Sequence, residues 1–186
     1  MGEISDTSEN PALLAPVLLN PEHGLSQFDC GLPEFSRWLK VHALKNQSSG
    51  ASRTYVLCHA THVVGYYALA AGSVQHEAAI GKARRNMPDP VPAMILGRLA
   101  VHTDWQSKGL GGDLLRDAVL RTLHAADIAG IKVILVHAIS DEAKRFYEHY
   151  GFRSSSIDPM TLMITLDDAK SALGILSPDS AISARA

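Results

Sequence analysis

The spacing of apolar and polar residues predicts a chain that alternates between strands and helices. Segments rich in β-branched and aromatic residues are typical of strands, whereas apolar residues that recur every three or four positions indicate an amphipathic helix. By these patterns the strands are predicted at residues 13–19, 53–58, 63–70, 94–101, 133–139 and 160–166, and the helices at residues 33–47, 109–129 and 141–149.

Prolines interrupt this pattern in the middle of the chain. Pro88, Pro90 and Pro92 exclude a central strand or a helix interior from residues 82–92, because proline lacks the N–H that either structure needs. We predict a long loop or a short irregular helix there. The complete order is strand, helix, hairpin of two strands, loop, strand, helix, strand, helix, strand, which predicts an α/β domain with a mixed sheet.

Length and composition fit one globular domain. The chain has 186 residues, of which 46% are hydrophobic and 19% are charged, so it can bury a core and is not a disordered chain. We predict that the domain occupies residues 13–170. The polar ends, residues 1–12 and 171–186, are predicted as flexible tails.

The sequence contains no signal for export, for a membrane or for a metal. No apolar run approaches the ~18 residues of a membrane span, and the acidic start lacks the basic and apolar segments of a secretory signal. Cys30 and Cys58 are too few for a disulfide framework, and the nine histidines lack the spacing of zinc ligands. We therefore expect a cytoplasmic, reduced protein with no membrane partner and no metal.

Charge is distributed unevenly, although the formal net charge is only −2. Basic residues gather from Lys82 onward, and Arg84, Arg85 and Arg98 are the candidates for a basic face that binds phosphates. A solvated charged loop is the alternative for Arg84 and Arg85. For Arg98, inside a predicted strand, the alternatives are an internal ion pair or contact with a ligand's phosphates.

A glycine-rich segment, Gln106–Gly112, joins a predicted strand to a predicted helix. Glycines let a backbone approach a ligand closely, and a helix N-terminus offers N–H groups and a partial positive charge. These properties predict a pyrophosphate site, to which Lys108 adds a full charge. The segment matches neither a Walker A loop nor a dinucleotide fingerprint, and an ordinary glycine-rich turn is its alternative.

Two motifs resemble the hallmarks of the GNAT N-acetyltransferases. Gln106–Gly112, after a strand that ends with Arg98–Val101, resembles the acetyl-CoA loop Gln/Arg-x-x-Gly-x-Gly/Ala. Ala143–Phe152 resembles the short helix that ends in Phe-Tyr-x-x-x-Gly-Phe. The resemblance covers about residues 53–166. It implies the GNAT fold, in which a mixed central sheet with splayed parallel strands is flanked by helices, and it implies acetyl-CoA as acetyl donor.

Further segments resemble, more narrowly, the GNAT toxins of type II toxin–antitoxin pairs. These toxins acetylate the free α-amine of aminoacyl-tRNA and so block translation. The implied partners are aminoacyl-tRNA, a ribbon-helix-helix antitoxin that also brings operator DNA, and a second copy in a homodimer. The segments are Asp29–Gly31, His42–Gln47, Ser49–Thr54, Arg84–Pro90 and Leu96–Val101.

The resemblance implies roles for individual residues. Tyr147 matches the general acid that protonates the departing CoA thiolate, with a packed core aromatic as its alternative. Ser140 stands where many relatives have an asparagine that contacts the pantetheine arm. Arg84, Arg85 and Arg98 are the candidates for binding tRNA. The implied acetyl-CoA contacts are Leu99, Ala100, Val101, Gln106, Lys108, Gly109, Leu110, Gly111, Gly112 and Ser140.

A general base is not evident among the carboxylates, because Glu142 and Glu148 are more plausible as solvated residues of a short helix. His102 and His137, near strand ends, could move a proton, although structural histidines are commoner. Two other functions stay open: a GNAT enzyme that acetylates a small amine or a protein amine, and a non-catalytic module that binds CoA or an antitoxin and represses its own operon.

Overall fold

The computed structural model of this chain describes residues 13–172. The predicted tails lie outside this range, except that residues 171 and 172 belong to the last helix. The strands are β1 (Val17–Leu18), β2 (Arg53–His59), β3 (His62–Val74), β4 (Val91–Val101), β5 (Val133–His137), β6 (Arg153–Ser154) and β7 (Thr161–Thr165). The helices are α1 (Pro33–Val41), α2 (Ala43–Ser49), α3 (Gly81–Arg84), α4 (Leu110–Ala126), α5 (Asp141–His149) and α6 (Leu166–Ala172).

The strands form one mixed sheet in the order β1-β2-β3-β4-β5-β7-β6. β4 and β5 are parallel, while β5 with β7, β6 with β7, and β1 with β2 are antiparallel. The prediction of an α/β domain with a mixed sheet is therefore confirmed. The connection from β4 through α4 to β5 is the helical crossover that a parallel pair requires.

The start of β4 corrects one prediction. The strand begins at Val91, so Pro92 lies inside it. The expectation that no part of residues 82–92 belongs to a central strand is therefore wrong for Val91 and Pro92. Pro92 is the second residue of the strand, where a missing N–H costs the ladder little. Its carbonyl still accepts the Lys132 N–H at 3.0 Å. The rest of the segment is the predicted short helix, α3, followed by a loop.

Two predicted helices have different bounds in the structure. The first is divided into α1 and α2 at His42, whose φ of −112° departs from helical geometry. The second, α4, ends at Ala126 rather than at residue 129. Its apolar stripe ends near Leu123, and Ile128 is 91% exposed, so a longer helix would bury nothing more. β6 and α6 were not predicted, because such short segments carry too little periodicity.

The chain divides into two compact units. Of the described residues, the first comprises residues 13–66 together with Ala100–Leu114. Its core packs α1 and α2 against β2 and the first half of β3, and the Tyr66 hydroxyl donates to the Phe35 carbonyl at 2.9 Å. The buried residues of this core are Leu19, Phe28, Cys30, Phe35, Leu39, Ala43, Val56, Cys58, Val63, Tyr66 and Ala100.

Of the described residues, the second unit comprises Tyr67–Leu99 and residues 115–172. One of its cores lies between α3, the segment before it, and the strands β4, β5 and β7. That core consists of Val74, Ala79, Ala83, Val91, Ala93, Val133, Leu135 and Met163.

A charged hydrogen-bond network is built into this second unit. The Tyr67 side chain is fully buried, and its hydroxyl donates to the Asp117 carboxylate, which also accepts from Arg121 Nε at 2.9 Å. Burial and the bond to Asp117 raise the pKa of Tyr67, so the phenol stays protonated and donates at any physiological pH. The network joins β3 to α4.

Tyr67→Phe should lower the free energy of unfolding by about 1–3 kcal/mol, because it removes a donor from a half-buried carboxylate. Chemical denaturation followed by circular dichroism measures this loss. Tyr66→Phe is the matched control, since it removes a neutral hydrogen bond, for which we expect about 1 kcal/mol. Equal losses in the two variants would contradict a special contribution from the Asp117 charge.

Candidate active site

The pairing of the parallel strands β4 and β5 stops before β4 reaches its carboxyl end. Their paired residues run from Ala93 opposite Val133 to Leu96 opposite Val136. β4 then continues from Leu96 to Val101, whereas β5 ends at His137. β4 thus extends past its pairing with β5, as the predicted splay requires, and Leu99, Ala100 and Val101 lie on this continuation. A strand that leaves its partner presents backbone groups with which an extended ligand can pair.

The glycine loop of the first unit is tied to the end of β4 by Gln106. The side-chain amide nitrogen of Gln106 donates to the Val101 carbonyl at 2.9 Å and to the Cys30 carbonyl at 3.1 Å. Both of its N–H groups are thus used to hold the loop. Lys108 places its ammonium 4.8 Å from the centroid of the Trp105 ring, a cation–π contact.

The loop conformation at Gly109 is one that glycine favours. Gly109 has a φ of +84°, and a Cβ built there would meet nothing within 4 Å, so this side of the backbone is open to a ligand. α4 begins directly afterwards, and its Gly112 and Asp113 N–H groups bond to the Gly109 carbonyl. Leu110 and Gly111 lie in the first turn, where helix N–H groups have no intrahelical acceptor. This arrangement fits the pyrophosphate of CoA.

Tyr147 lies near the end of α5 in the second unit. It is 8% exposed and packs against the rings of Phe146 and Phe152, with centroid distances of 5.1 and 5.5 Å. Burial raises the pKa of Tyr147 to about 12. A phenol with that pKa is protonated at neutral pH and is available as a proton donor.

The two ends of α5 hold Tyr147 in place. The Ser140 Oγ accepts the Ala143 N–H at 3.1 Å and caps the first turn. Gly151, with a φ of +88°, ends the helix in the left-handed conformation that glycine favours. The Phe152 N–H then donates back to the Tyr147 carbonyl at 3.1 Å. The hydroxyl of Ser140 is thus engaged in a cap.

Two of the three candidate arginines, Arg84 and Arg85, are exposed. Arg84 ends α3, and Arg85 follows it. Lys82, on the same helix, pairs with Asp168. Arg98 is half-buried on β4, and its Nη1 lies 3.4 Å from the Gly97 carbonyl as a donor. The side chains of Arg84 and Arg85 are therefore accessible to a phosphate group of a ligand that binds from solution.

A histidine that the sequence did not single out holds the loop after α3. The His76 Nε2 lies 3.0 Å from the Met87 carbonyl and 2.9 Å from the Pro88 carbonyl, so it carries a proton and donates to them. The His76 N–H donates to Asp89 Oδ1 at 3.0 Å. These partners are eleven or more residues away in sequence, which is why no local pattern indicates them.

Three further polar residues meet at the end of β5. His137, which the sequence indicated as able to move a proton or as a structural histidine, lies 2.8 Å from the Thr161 hydroxyl through its Nδ1. Thr161 in turn donates to Asp158 at 2.6 Å. The sequence carried no signal for Thr161 or Asp158, because the contact depends on the pairing of β5 with β7.

Within residues 13–172, no three histidine, cysteine, aspartate or glutamate side chains come together as a metal site. Over the same residues, none of the helices combines the length and apolar character that a membrane crossing needs.

Comparison with known proteins places this arrangement in a family. The model of the acetyltransferase (GNAT) domain matches residues 50–154, more than half of the chain. The chain is also 47% identical, over 160 residues, to the tRNA-acetylating toxin of Mycobacterium tuberculosis (strain ATCC 25618 / H37Rv). That alignment covers 86% of this chain and 96% of the toxin.

Solved structures of one toxin have the same fold. AtaT in complex with acetyl-methionyl-tRNAfMet matches with a TM-score of 0.80 and 25% identity, over 86% of this chain and 98% of that one. A tyrosine-to-phenylalanine variant of AtaT, bound to the C-terminus of the antitoxin AtaR and to acetyl-CoA, matches with a TM-score of 0.74 and 25% identity, over 86% and 96% of the two chains. From the splayed strands, the glycine loop and these matches we conclude that the chain belongs to the GNAT acetyltransferase family.

Proposed function

We propose that this protein is a toxin that transfers the acetyl group of acetyl-CoA to the free α-amine of aminoacyl-tRNA and thereby blocks translation. The observation that carries the proposal is the buried, protonated phenol of Tyr147 in a chain that is 47% identical to a tRNA-acetylating toxin. A phenol of this kind can return a proton to the CoA thiolate as it leaves.

Acetyl-CoA binding is assigned to backbone groups. In this proposal the backbone of Leu99, Ala100 and Val101 pairs with the pantetheine arm and polarises the thioester carbonyl. The N–H groups of Gly109, Leu110 and Gly111 bind the pyrophosphate, and Gly112, whose own N–H bonds to the Gly109 carbonyl, leaves room for it by lacking a side chain. The open side of Gly109 supports this assignment, because a Cβ there would stand where the phosphates approach. Lys108 lies at the rim, and Gln106 holds the loop to β4.

The reaction is a direct displacement. The amine nitrogen attacks the thioester carbonyl, the C–N bond forms, the C–S bond breaks, and the thiolate takes the Tyr147 proton. The α-amine of an aminoacyl ester has a pKa below the ~7.7–8.0 of a chain N-terminus, because the ester withdraws electrons. A substantial share of the amine is therefore neutral at pH 7, which favours this substrate over a lysine amine with a pKa of ~10.4.

The tRNA is assigned to the exposed arginines. Arg84 and Arg85 are the first candidates for contacts with its phosphates, since both project from the end of α3. Arg98 is the third candidate, on β4.

The proposed partners follow from the same relationship. AtaT is bound by the C-terminus of the antitoxin AtaR, and we propose that an antitoxin of the ribbon-helix-helix type neutralises this chain and connects it to operator DNA. A homodimer and a location in the cytoplasm, where charged tRNA is used, complete the proposal.

The test is acetylation of charged tRNA by the purified protein. Incubation with acetyl-CoA and total aminoacyl-tRNA, followed by nuclease digestion and mass spectrometry, should yield an N-acetylated aminoacyl adenosine. Uncharged tRNA, spermidine and a lysine peptide serve as competing acceptors. Acetylation of an amine in one of these, with charged tRNA unmodified, would replace the proposal by the small-amine or protein-amine alternative, and no transfer to any acceptor would favour the non-catalytic module.

His76 gives a further prediction about the protein loop between α3 and β4, which follows the proposed tRNA-binding residue Arg84. His76→Ala removes the donor to the Met87 and Pro88 carbonyls, so the loop after Arg84 loses its anchor. We expect the KM for aminoacyl-tRNA to rise about five-fold, the equivalent of one hydrogen bond, while the KM for acetyl-CoA stays unchanged. Steady-state kinetics with each substrate varied in turn measures both. His124→Ala, at an exposed position of α4, is the control; an equal rise in both KM values would contradict a role confined to this loop.

A further inference from the structure

A hydrogen-bonded chain of three side chains ends at the last residue of β5. His137 pairs with Thr161 across the antiparallel strands β5 and β7, and its Nδ1 lies 2.8 Å from the Thr161 Oγ1. The Thr161 hydroxyl lies 2.6 Å from Asp158 Oδ2, and the other oxygen of Asp158 accepts the Met160 N–H at 2.9 Å. Thr161 is buried, whereas His137 and Asp158 are exposed.

The proton on each group can be assigned by counting donors. The bonds from Thr161 and Met160 lower the pKa of Asp158, so this carboxylate is ionised and can only accept. Thr161 therefore gives its one proton to Asp158, and its oxygen must accept from His137. It follows that Nδ1 of His137 carries the proton in the neutral ring, and that Nε2 holds the lone pair.

The ring lies on a defined face of the sheet. Side chains alternate along β5, so His137 shares a face with Leu135 and Val133, and their partners on β7 include Met163. Leu135 and Met163 belong to the core that Ala83 of α3 covers. His137 thus lies on the same face as α3, the helix that ends with Arg84.

We propose that His137 is the proton acceptor for the attacking amine, with Thr161 and Asp158 as the residues that position it. This proposal rests on the proposed function. It places the basic nitrogen of the enzyme on the face where the proposed tRNA-binding arginines lie, at the end of a strand that separates from β4. The arrangement resembles a catalytic histidine that is oriented by a carboxylate, except that here a threonine hydroxyl lies between the imidazole and the carboxylate.

The protons balance over one turnover. The His137 Nε2 takes one proton from the amine nitrogen as the C–N bond forms. The C–S bond breaks, and the sulfur takes the proton of Tyr147. The imidazolium then loses its proton to solvent and the phenolate regains one, so no other reactant is consumed.

The surrounding charges belong to a few residues on the neighbouring elements. Asp158 faces the ring through Thr161. On α3, Lys82 is paired with Asp168, and Arg84 lies 3.5 Å from the His76 carbonyl through its Nη1. Arg153 of β6 is a further charged residue beside β7, where it pairs with Met163.

His137→Asn tests the proposal, because asparagine can still donate to Thr161 but has no basic nitrogen. We expect kcat for charged tRNA to fall about 10²-fold, the usual effect of losing a general base. The KM for acetyl-CoA and the melting temperature should stay unchanged. The acidic limb of the pH profile of kcat should change in the variant, and added imidazole should restore part of the activity of His137→Gly.

Two substitutions of Thr161 distinguish a role in positioning the His137 ring from a role in packing. Thr161→Ser keeps the hydroxyl and should keep at least half of kcat. Thr161→Val keeps the shape, removes the hydroxyl, and should lower kcat about ten-fold because the ring is no longer held in one tautomer. If His137→Asn retains wild-type kcat and pH profile while the wild-type protein acetylates charged tRNA, this proposal is wrong and the proposed function stands. If the wild-type protein acetylates no charged tRNA, the proposed function is itself wrong, and the proposed role of His137 is wrong with it.

Discussion

Tyr147→Phe should lower kcat for acetylation of aminoacyl-tRNA about 10²- to 10⁴-fold, the range expected when a general acid is lost. The phenol is buried, and its pKa of about 12 keeps it protonated at the pH of the assay. Phenylalanine fills the same space between Phe146 and Phe152, so the fold and acetyl-CoA binding should survive. Single-turnover kinetics measures the chemical step, and calorimetry measures acetyl-CoA affinity.

Tyr150→Phe is the matched control for this experiment. Tyr150 lies on the turn after α5 and contacts the rings of Phe146 and His149. We expect removal of the Tyr150 hydroxyl to change kcat less than three-fold, because the proposed mechanism assigns no proton transfer to this residue. Comparable losses in the two variants would mean that the aromatic cluster, and not the Tyr147 proton, is what the reaction needs.

Reversing two charges at the end of α3 should produce the second large effect. In Arg84→Glu/Arg85→Glu, kcat/KM for aminoacyl-tRNA should fall at least about 10²-fold, because two phosphate contacts are replaced by repulsion. Both side chains are exposed, so stability should change little. The salt dependence of tRNA binding should also weaken, with the slope of log affinity against log salt reduced by about two.

The control for this variant must make the same change in net charge elsewhere. Arg116→Glu/Lys170→Glu does so on α4 and α6. If this control lowers kcat/KM as much as the reversal at Arg84 and Arg85, the effect is one of overall charge, and the assignment of the tRNA to α3 is wrong. An unaltered KM for acetyl-CoA in both variants would show that the cofactor site is intact.

Much of the fold could be predicted from local patterns. The hairpin of β2 and β3, the strand β5, and α5 with its Ser140 cap and its Gly151 stop all follow from propensity, turn residues and periodicity. The same holds for the glycine loop before α4, since a positive φ at residue 109 requires no distant partner. The errors fall where tertiary packing competes with local preference, as at Pro92 inside β4 and at the early end of α4.

The sequence by itself determined which chemistry is available: a glycine loop at a helix N-terminus, a tyrosine on a short capped helix, and two adjacent arginines. Only the tertiary structure decided which groups act together. The pairing of β5 with β7 brings His137 to Thr161 and Asp158, and the return of the chain after β3 brings His76 to the Pro88 carbonyl. The physical reason is that helix caps and turns are formed by neighbours in sequence, whereas a proton relay depends on strand register, which is set by burial of the whole sheet face.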